Sequence, residues 1–252
     1  MDVKGLGAIV TGGGSGMGAE VGRALAAAGA KVALLDLNGE AAKAVAGEIG
    51  GLGLACDVSD AAAAEAAVAE AAKAHGPCRV LVNCAGIAPA KRIVGKEGAM
   101  PLEAFRKVVE VNLIGSFNLL RLAAAEMTAA EPLNEDGERG VIVSTASIAA
   151  FEGQVGQAAY AASKAGIIGM MTPAARELAR FGVRVMTVAP GLIGTPLLLN
   201  MPQEVQDTLA QQTPFPKRFG TPAEFAQIVM TIVGNVMLSN DTIRLDGGMR
   251  MQ

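Results

Sequence analysis

Tryptophan is absent from this chain of 252 residues, and histidine and tyrosine each occur only once. The single histidine, His75, supplies too few partners for a metal site, so we predict that the protein binds no metal. It lies at what reads as the end of a helix, where a cation is favoured, which predicts capping and not catalysis. The three cysteines lack the paired spacings of zinc sites, which predicts reduced thiols and a cytoplasmic protein.

Long apolar runs are also missing, although hydrophobic residues make up 51% of the chain. No run approaches the roughly 18 residues that a membrane-spanning helix needs, and no basic segment precedes an apolar one near the start. We therefore expect neither membrane insertion nor a secretory signal. The net charge of −3 comes without a strong basic cluster, so we predict no binding of nucleic acid.

Short apolar runs rich in β-branched residues alternate with longer alanine-rich segments, which is typical of βαβ units. We predict one α/β domain over 1–252, a Rossmann-type doubly wound parallel sheet of about seven strands with helices on both faces. The predicted strands are Ala8–Thr11, Lys31–Asp36, Leu52–Asp57, Val80–Asn83, Gly140–Ser144, Arg184–Ala189 and Thr242–Leu245. The predicted helices are Gly18–Ala28, Glu40–Ile49, Ala61–Ala74, Pro101–Thr128, Gln157–Phe181 and Pro222–Val236.

Three longer segments interrupt this alternation, at 88–100, 131–139 and 192–220. Long excursions from an α/β domain are often lids or substrate walls. For the first two segments, solvated loops are an open alternative. The third contains several prolines, which prevent one long helix, and we predict that it is the substrate-loop segment.

The only tyrosine, Tyr160, stands four positions before Lys164. On a helix this spacing puts both side chains on one face, about 5–6 Å apart at Cβ. A lysine charge there favours the tyrosinate, and a phenol needs such a neighbour to accept a proton at neutral pH. Tyr160 is therefore a candidate general acid and base. The same spacing also occurs by chance on solvated helix faces, so the pair needs further support.

A glycine-rich turn follows the first predicted strand and opens the first predicted helix, where backbone N–H groups and the helix dipole receive a pyrophosphate. Tight βα turns also use glycine for geometry alone. Asp36 ends the second strand and is predicted to bind the 2′- and 3′-hydroxyls of an adenosine ribose, which predicts NAD because a 2′-phosphate would meet a like charge. A helix cap or loop carboxylate is the alternative. The predicted cofactor residues of the turn are Gly12, Ser15, Gly16, Met17 and Gly18.

Residues at the carboxyl ends of the third and fourth predicted strands are further candidates, because ligands of open α/β sheets bind at that edge. We predict that they line the adenine and ribose, although each group is also compatible with an ordinary strand-end turn. These residues are Asp57, Val58, Asn83, Cys84, Ala85 and Gly86.

Taken together, these motifs resemble the short-chain dehydrogenase/reductase family over essentially the whole chain. The resemblance is carried by the 11–18 turn, Asn83 to Gly86, Asn112, Ser147 with the Tyr160 and Lys164 pair, and Pro190-Gly191 followed by Thr195. It implies a tetrad of catalytic residues, contacts of several residues with the cofactor, and a homotetramer. The tetrad is Asn112, Ser147, Tyr160 and Lys164. The additional cofactor contacts are Tyr160, Lys164, Pro190, Gly191, Ile193 and Thr195.

The resemblance also implies a role for each member of the tetrad. Lys164 would lower the pKa of Tyr160 and bind the nicotinamide ribose, and Ser147 would hold the substrate oxygen. Asn112 would support a water that relays protons. As alternatives, Ser147 caps a turn and Asn112 satisfies backbone groups where a helix bends.

Within the family, the segments 150–160, 189–198 and 243–247 resemble the type-2 3-hydroxyacyl-CoA dehydrogenase subfamily, also called type-10 17β-hydroxysteroid dehydrogenase, and 88–100 matches its enlarged loop in place and length. This implies an NAD-dependent oxidoreductase that interconverts a secondary alcohol and a ketone, with 3-hydroxyacyl-CoA as the first candidate. A hydroxysteroid or small-ketone dehydrogenase is the alternative, and a non-catalytic NAD-binding scaffold is the alternative of another class.

The substrate-binding residues that we predict are Ser147, Gln157 and Tyr160. Two further groups flank this site in the sequence. One is a predicted apolar wall, and the other is a set of cations that would meet the phosphates of coenzyme A. The wall is Leu197, Leu198, Leu199 and Met201, for which packing under a loop is the alternative, and the cations are Lys91, Arg92 and Lys96.

Overall fold

Seven parallel strands form one sheet in the computed structural model, which describes residues 1–251 except the side chain of Leu197. The strand order is β3-β2-β1-β4-β7-β8-β9, and a separate antiparallel hairpin pairs β5 with β6. The strands are β1 Gly7–Thr11, β2 Lys31–Asp36, β3 Leu52–Ala55, β4 Cys78–Asn83, β5 Val94–Gly95, β6 Gly98–Ala99, β7 Gly140–Thr145, β8 Val183–Pro190 and β9 Thr242–Leu245. The predicted doubly wound sheet is confirmed.

Helices cover both faces of the sheet, because alternate strand residues point to opposite sides. Val10 and Val82 pack in one layer with α1, α2 and α9, whereas Ile9 and Leu81 pack in the other with α3, α5 and α6. The helices are α1 Gly16–Ala27, α2 Gly39–Ile49, α3 Ala61–His75, α4 Leu102–Val109, α5 Gly115–Ala129, α6 Ala158–Ala179, α7 Pro196–Leu199, α8 Gln203–Ala210 and α9 Pro222–Gly234. His75 ends α3, as predicted.

The predicted helix over 101–128 is interrupted by a π-helical turn, Glu110–Ile114, between α4 and α5. By length and composition the whole stretch Leu102–Ala129 is apolar enough to cross a membrane, with a mean hydropathy of 1.4 in its most apolar window. Half of that window is buried within the fold. Core helices of soluble α/β domains have the same composition, so packing on the sheet explains the hydropathy.

The topology decides which of the long segments lie near the site. The strand order reverses between β1 and β4, so their carboxyl ends open a crevice at that edge. Residues 88–100 follow β4 and fold partly into the β5–β6 hairpin, and 192–220 follows β8 and contains α7 and α8. Residues 131–139 instead precede β7 and lie at the opposite edge. For this segment the lid interpretation is wrong.

Candidate active site

The glycine-rich turn leaves the end of β1 and enters α1 with little space between them. Gly12 and Gly16 have positive φ angles of 64° and 52°, which other residues rarely adopt. A Cβ at Gly18 would overlap the carbonyl of Gly12. Ser15 caps α1 with an extended backbone and makes no side-chain capping bond within the described chain. The first N–H groups of α1 are therefore free to bind an anion, and the turn fits a pyrophosphate.

Asp36 lies directly against this turn. One of its carboxylate oxygens accepts a hydrogen bond from Gly14 N at 2.9 Å, and the other accepts from Asn38 N at 2.9 Å. A carboxylate has about four acceptor positions, so two remain for hydroxyl groups of a ligand. The predicted neighbourhood of Asp36 and the glycine turn is confirmed, and its contact with a ribose stays a prediction.

The end of β4 is held to the end of β1 by a residue that sequence reasoning did not single out. Thr11 Oγ1 accepts hydrogen bonds from Cys84 N and Ala85 N, both at 3.1 Å. Burial raises the pKa of Cys84 to about 11, so its thiol stays protonated at neutral pH. The signal for Thr11 was its place at the carboxyl end of the first strand.

At the end of β3, hydrogen bonds from the side chain and backbone N–H of Ser59 lower the pKa of Asp57. Val58 is buried and packs so closely on Gly115 that a side chain there would collide with it. Asn83 is also buried, and its amide donates to Ser116 O at 3.2 Å. These residues shape the crevice, and only Asp57 among them keeps a partly exposed side chain.

Beyond β8, the backbone brings a second wall to the glycine turn. A Cβ at Gly16 would come 3.3 Å from Cγ2 of Thr195, so these two predicted cofactor residues are neighbours. Pro190 ends β8, and Gly191 N donates to Leu245 O at 2.9 Å. The Ile193 side chain is buried, and a contact of this residue with the cofactor stays a prediction.

The proposed tetrad comes from three elements that end or bend at the same place. Ser147 follows β7, Tyr160 and Lys164 lie in the first turns of α6, and Asn112 lies in the π-helical turn. Lys164 Nζ is 5.8 Å from the centre of the Tyr160 ring. The structure therefore brings the predicted pair together on one face of a helix.

Lys164 is buried and donates a hydrogen bond from Nζ to Thr145 O at 2.7 Å. Burial lowers its pKa to about 8, because a charged amine is poorly solvated there. This amine therefore changes its charge near neutral pH. Thr145 was not among the predicted site residues, and its contact uses the backbone carbonyl, which carries no signal in the sequence.

The expected lowering of the Tyr160 pKa is wrong for the protein without its ligands. Burial raises this pKa, and a hydrogen bond with the Ser147 side chain opposes the rise. Burial therefore decides the direction of the shift, and Lys164 Nζ donates its hydrogen bond to the Thr145 carbonyl and not to the phenol. Tyr160 is consequently a protonated acid in this state.

Ser147 and Asn112 both make the contacts that were considered as alternatives. Ser147 Oγ accepts from Ala149 N at 3.1 Å and caps a short 3₁₀ turn, Ile148–Ala150. Asn112 Oδ1 accepts from Ile87 N at 2.8 Å, and its Nδ2 donates to Ile87 O at 2.9 Å. Ser147 also faces Tyr160, so its capping role does not remove it from the site. A water held by Asn112 stays a prediction.

A groove of about 600 Å³ lies beside the tetrad, between 92–94 and 153–161. Gln157 lines it and precedes α6, and Lys91 N donates to Gly156 O at 2.8 Å, which joins the two walls. The predicted apolar wall is less complete. Leu199 is 52% exposed, and the side chain of Leu197 lies outside the described residues. Within residues 1–251, no group of three or more metal-binding side chains is close enough to hold an ion.

Comparison with known proteins adds three independent likenesses. The family model described as short chain dehydrogenase matches residues 7–206. The protein named 3-hydroxyacyl-CoA dehydrogenase type-2 is 50% identical in Bos taurus and in Homo sapiens, over 99% of this chain and 97% of theirs. The (3R)-3-hydroxyacyl-CoA dehydrogenase of Homo sapiens is 35% identical over 97% of this chain and 95% of its own.

A solved structure has the same fold at nearly full length. The crystal structure of 3-hydroxyacyl-CoA dehydrogenase type-2 from Mycobacterium avium superposes with a TM-score of 0.94 at 42% sequence identity. The match covers 98% of this chain and 97% of that one. The sheet order and the position of the crevice are therefore those of a known enzyme architecture.

Proposed function

Because the chain belongs to the short-chain dehydrogenase family of oxidoreductases, we propose that it uses NAD to interconvert a 3-hydroxyacyl-CoA and its 3-oxoacyl-CoA. Family membership implies a nicotinamide cofactor. The observation that carries the proposal is the Tyr160 and Lys164 pair on the helix whose first turn lines an open groove, in a chain half identical to relatives named for this reaction. The relatives at lower identity are also named for acyl-CoA substrates.

In the oxidation, Tyr160 in its phenolate form accepts the proton of the substrate hydroxyl, which Ser147 holds by a hydrogen bond. A nicotinamide cofactor, when bound, would supply the acceptor for the hydride of the same alcohol. Lys164, whose Nζ lies 5.8 Å from the centre of the Tyr160 ring, would stabilise the phenolate when it is protonated, and its pKa of about 8 keeps much of it protonated near neutral pH. In the reverse direction, Tyr160 donates the proton to the ketone oxygen.

The preference for NAD over NADP rests on Asp36. Its carboxylate touches Gly14 at the turn that fits the pyrophosphate, which puts a negative charge next to the adenosine ribose. A 2′-phosphate at that place would be repelled. We expect the wild-type kcat/KM for NAD to exceed that for NADP. Asp36→Ala should reduce the ratio of these two values by roughly 10-fold or more. Equal use of both cofactors by the wild type would contradict this assignment.

The substrate class rests on the shape and lining of the groove. It is open to solvent, and its walls expose the apolar side chains of Ile93, Val94 and Val155. Such a groove accommodates a long substrate whose reacting carbon alone reaches Tyr160. An acyl chain with its pantetheine arm meets this description better than a small ketone does.

The experiment that tests the function follows NADH absorbance with a panel of 3-hydroxyacyl-CoAs, hydroxysteroids and simple secondary alcohols. We expect the highest kcat/KM for a 3-hydroxyacyl-CoA. A hydroxysteroid or simple alcohol as the best substrate would contradict the substrate class and leave the reaction intact. Binding of NAD without turnover of any alcohol would instead favour the non-catalytic scaffold.

We also propose that the protein assembles as a homotetramer in the cytoplasm. Ile114, at the end of the π-helical turn, and Phe117, on α5, are each about half exposed, which is apolar area that a second copy would bury. Light scattering after size-exclusion chromatography measures the mass directly. A monomer would contradict the assembly, and its location in a cell is a separate measurement.

A further inference from the structure

The segment between Ser147 and Tyr160 is held at its midpoint by an arginine from the far end of the chain. Arg244, on β9, donates to Glu152 through Nη1 at 2.9 Å and through Nη2 at 3.0 Å. Its guanidinium also lies 5.0 Å from the centre of the Phe151 ring. Two parallel bonds fix both the distance and the orientation of the carboxylate, so Arg244 sets the position of the segment.

The other donors of Arg244 go to the turn that follows β9. Nε donates to Asp246 Oδ2 at 2.7 Å, and Nη2 donates to Met249 O at 3.0 Å. Arg250 adds a bond to the same Asp246 oxygen at 3.2 Å. The Arg244 and Glu152 side chains are 22% and 24% exposed, so solvent screens this pair less than a pair on the open surface.

The same turn also supports the two ends of the substrate-loop segment, 192–220. Just before the segment, Gly191 packs on Asp246, where a Cβ would come 3.0 Å from Cα of Asp246. Toward its end, Phe215 N donates to Gly247 O at 3.2 Å. One short turn therefore touches the catalytic segment through Arg244 and the substrate-loop segment through its backbone.

We propose that Arg244 is a positioning residue, which holds the segment 147–157 in register with the substrate-loop segment through Glu152. This role rests on the proposed function, because the geometry that it maintains is that of Ser147, Tyr160 and the Gln157 wall. Arg244 does not contact the reacting atoms. Its loss should leave the glycine turn and Asp36 in place, since they lie at β1 and β2, away from β9 in the sheet.

The test is a double-mutant cycle with Arg244→Gln and Glu152→Gln, measured on kcat and on the KM values of both substrates. Each single variant is expected to lower kcat about 10-fold with the KM for NAD unchanged, and the double variant to lose no more than either one. Arg244→Lys keeps a charge but not the paired donors, so it should recover part of the loss. Arg23→Gln, which removes a similar paired contact with Glu48 on α1 and α2, is the control and should leave kcat unchanged.

Hydrogen exchange of the wild type and variants gives a readout that needs no activity. Arg244→Gln should raise the exchange of amides in 151–157 and leave the strand β1 unchanged. Additive losses in the cycle, or unchanged exchange in 151–157, would overturn the positioning role. The cycle uses any secondary alcohol that the wild type oxidises, so a failure with 3-hydroxyacyl-CoA contradicts the proposed substrate and not the role of Arg244.

Discussion

The cofactor side and the substrate side of the carboxyl edge are built in different ways. On the cofactor side, the turn after β1 is so close to α1 that Gly18 has no room for a methyl group, and Asp36 bonds directly to the backbone. On the substrate side, every residue of α8 is at least partly exposed, and β5 and β6 are exposed throughout. Backbone and core thus shape the proposed NAD site, whereas outer segments shape the proposed substrate site.

The proposed catalytic residues lie between the cofactor side and the substrate side of this edge. Ser147 follows β7 and Tyr160 lies on α6, which are parts of the core, and the first turn of α6 also lines the groove. Chemistry and cofactor binding therefore depend on the buried core. Substrate preference depends on outer segments, which can change without disturbing that core. Chemistry, the charge of Lys164, cofactor binding and substrate preference can each be tested by its own substitution.

Replacing Tyr160 by Phe separates the chemistry from both binding sites and should have the largest effect. We expect kcat to fall by roughly 1000-fold, because a positioned acid and base contributes at that scale. The Kd for NAD, measured by calorimetry, should change little. Residual kcat near the wild-type value would contradict the assignment of Tyr160.

The charge of Lys164 can be followed through stability. Its pKa is about 8 in the folded protein and ordinarily 10.5, so burying the charge costs stability below pH 8. As pH rises from 8 to 10.5 that cost disappears, because the folded form has already lost the proton. The wild type should therefore gain up to about 3 kcal/mol relative to Lys164→Met over this range. Urea unfolding at several pH values measures the difference.

A constant difference between the two proteins from pH 8 to 10.5 would contradict this account of Lys164. Activity gives a second readout, since Lys164→Met should be nearly inactive at every pH. The variant thus links a cost in stability directly to a requirement of catalysis.

The close fit of the cofactor side is tested by Gly18→Ala. The added methyl group would push α1 away from the Gly12 carbonyl, at a cost of about 1–3 kcal/mol. We expect the Kd for NAD to rise roughly 30-fold. Gly47→Ala, in the interior of α2, is the matched control, because no described atom lies within 4 Å of its new methyl group and its NAD affinity should not change. An equal Kd for NAD in the two variants would contradict the closer packing of the cofactor side.

The smallest effect is expected on the outer segment 88–100. Reversing the charges of Lys91, Arg92 and Lys96 together should raise the KM for an acyl-CoA about two- to five-fold, since exposed charge pairs contribute little each. The kcat with a simple alcohol should stay the same. Lys31→Glu, at the opposite edge, is the control for a charge reversal away from the groove. An unchanged KM for acyl-CoA would exclude contact between these residues and the coenzyme A phosphates.

The predictions from sequence were most accurate where the local residue pattern and the fold require the same residue types. The strands Lys31–Asp36 and Thr242–Leu245 have the predicted bounds, and Asp36 meets the glycine turn as expected. They failed where the outcome depends on three-dimensional neighbours. The π-helical turn at 110–114 looks like ordinary helix in sequence, and the raised pKa of Tyr160 depends on its burial, which the sequence around it does not reveal.

The contact between Arg244 and Glu152 could not be predicted for a similar reason. The two residues are far apart in the chain, and neither lies in a motif that indicates pairing. Glu152 follows β7 and Arg244 lies on β9, and the parallel pairing of both strands with β8 brings them to the same edge of the sheet. Charge patterns along a sequence report local helix pairs and not such long-range contacts.

The two ends of the substrate-loop segment are tied to each other. Gly194 N donates to Gly220 O at 2.8 Å, and Gly220 N donates to Leu192 O at 2.9 Å. These bonds fix the two ends of the segment. The chain between them can therefore be longer or shorter at a small cost in loop-closure entropy, about 0.6 kcal/mol for each doubling of length. The segment can therefore be replaced by one of another sequence and length while the core stays the same. Grafting a relative's segment between Ile193 and Gly220 offers a route to new substrate preference on an unchanged core.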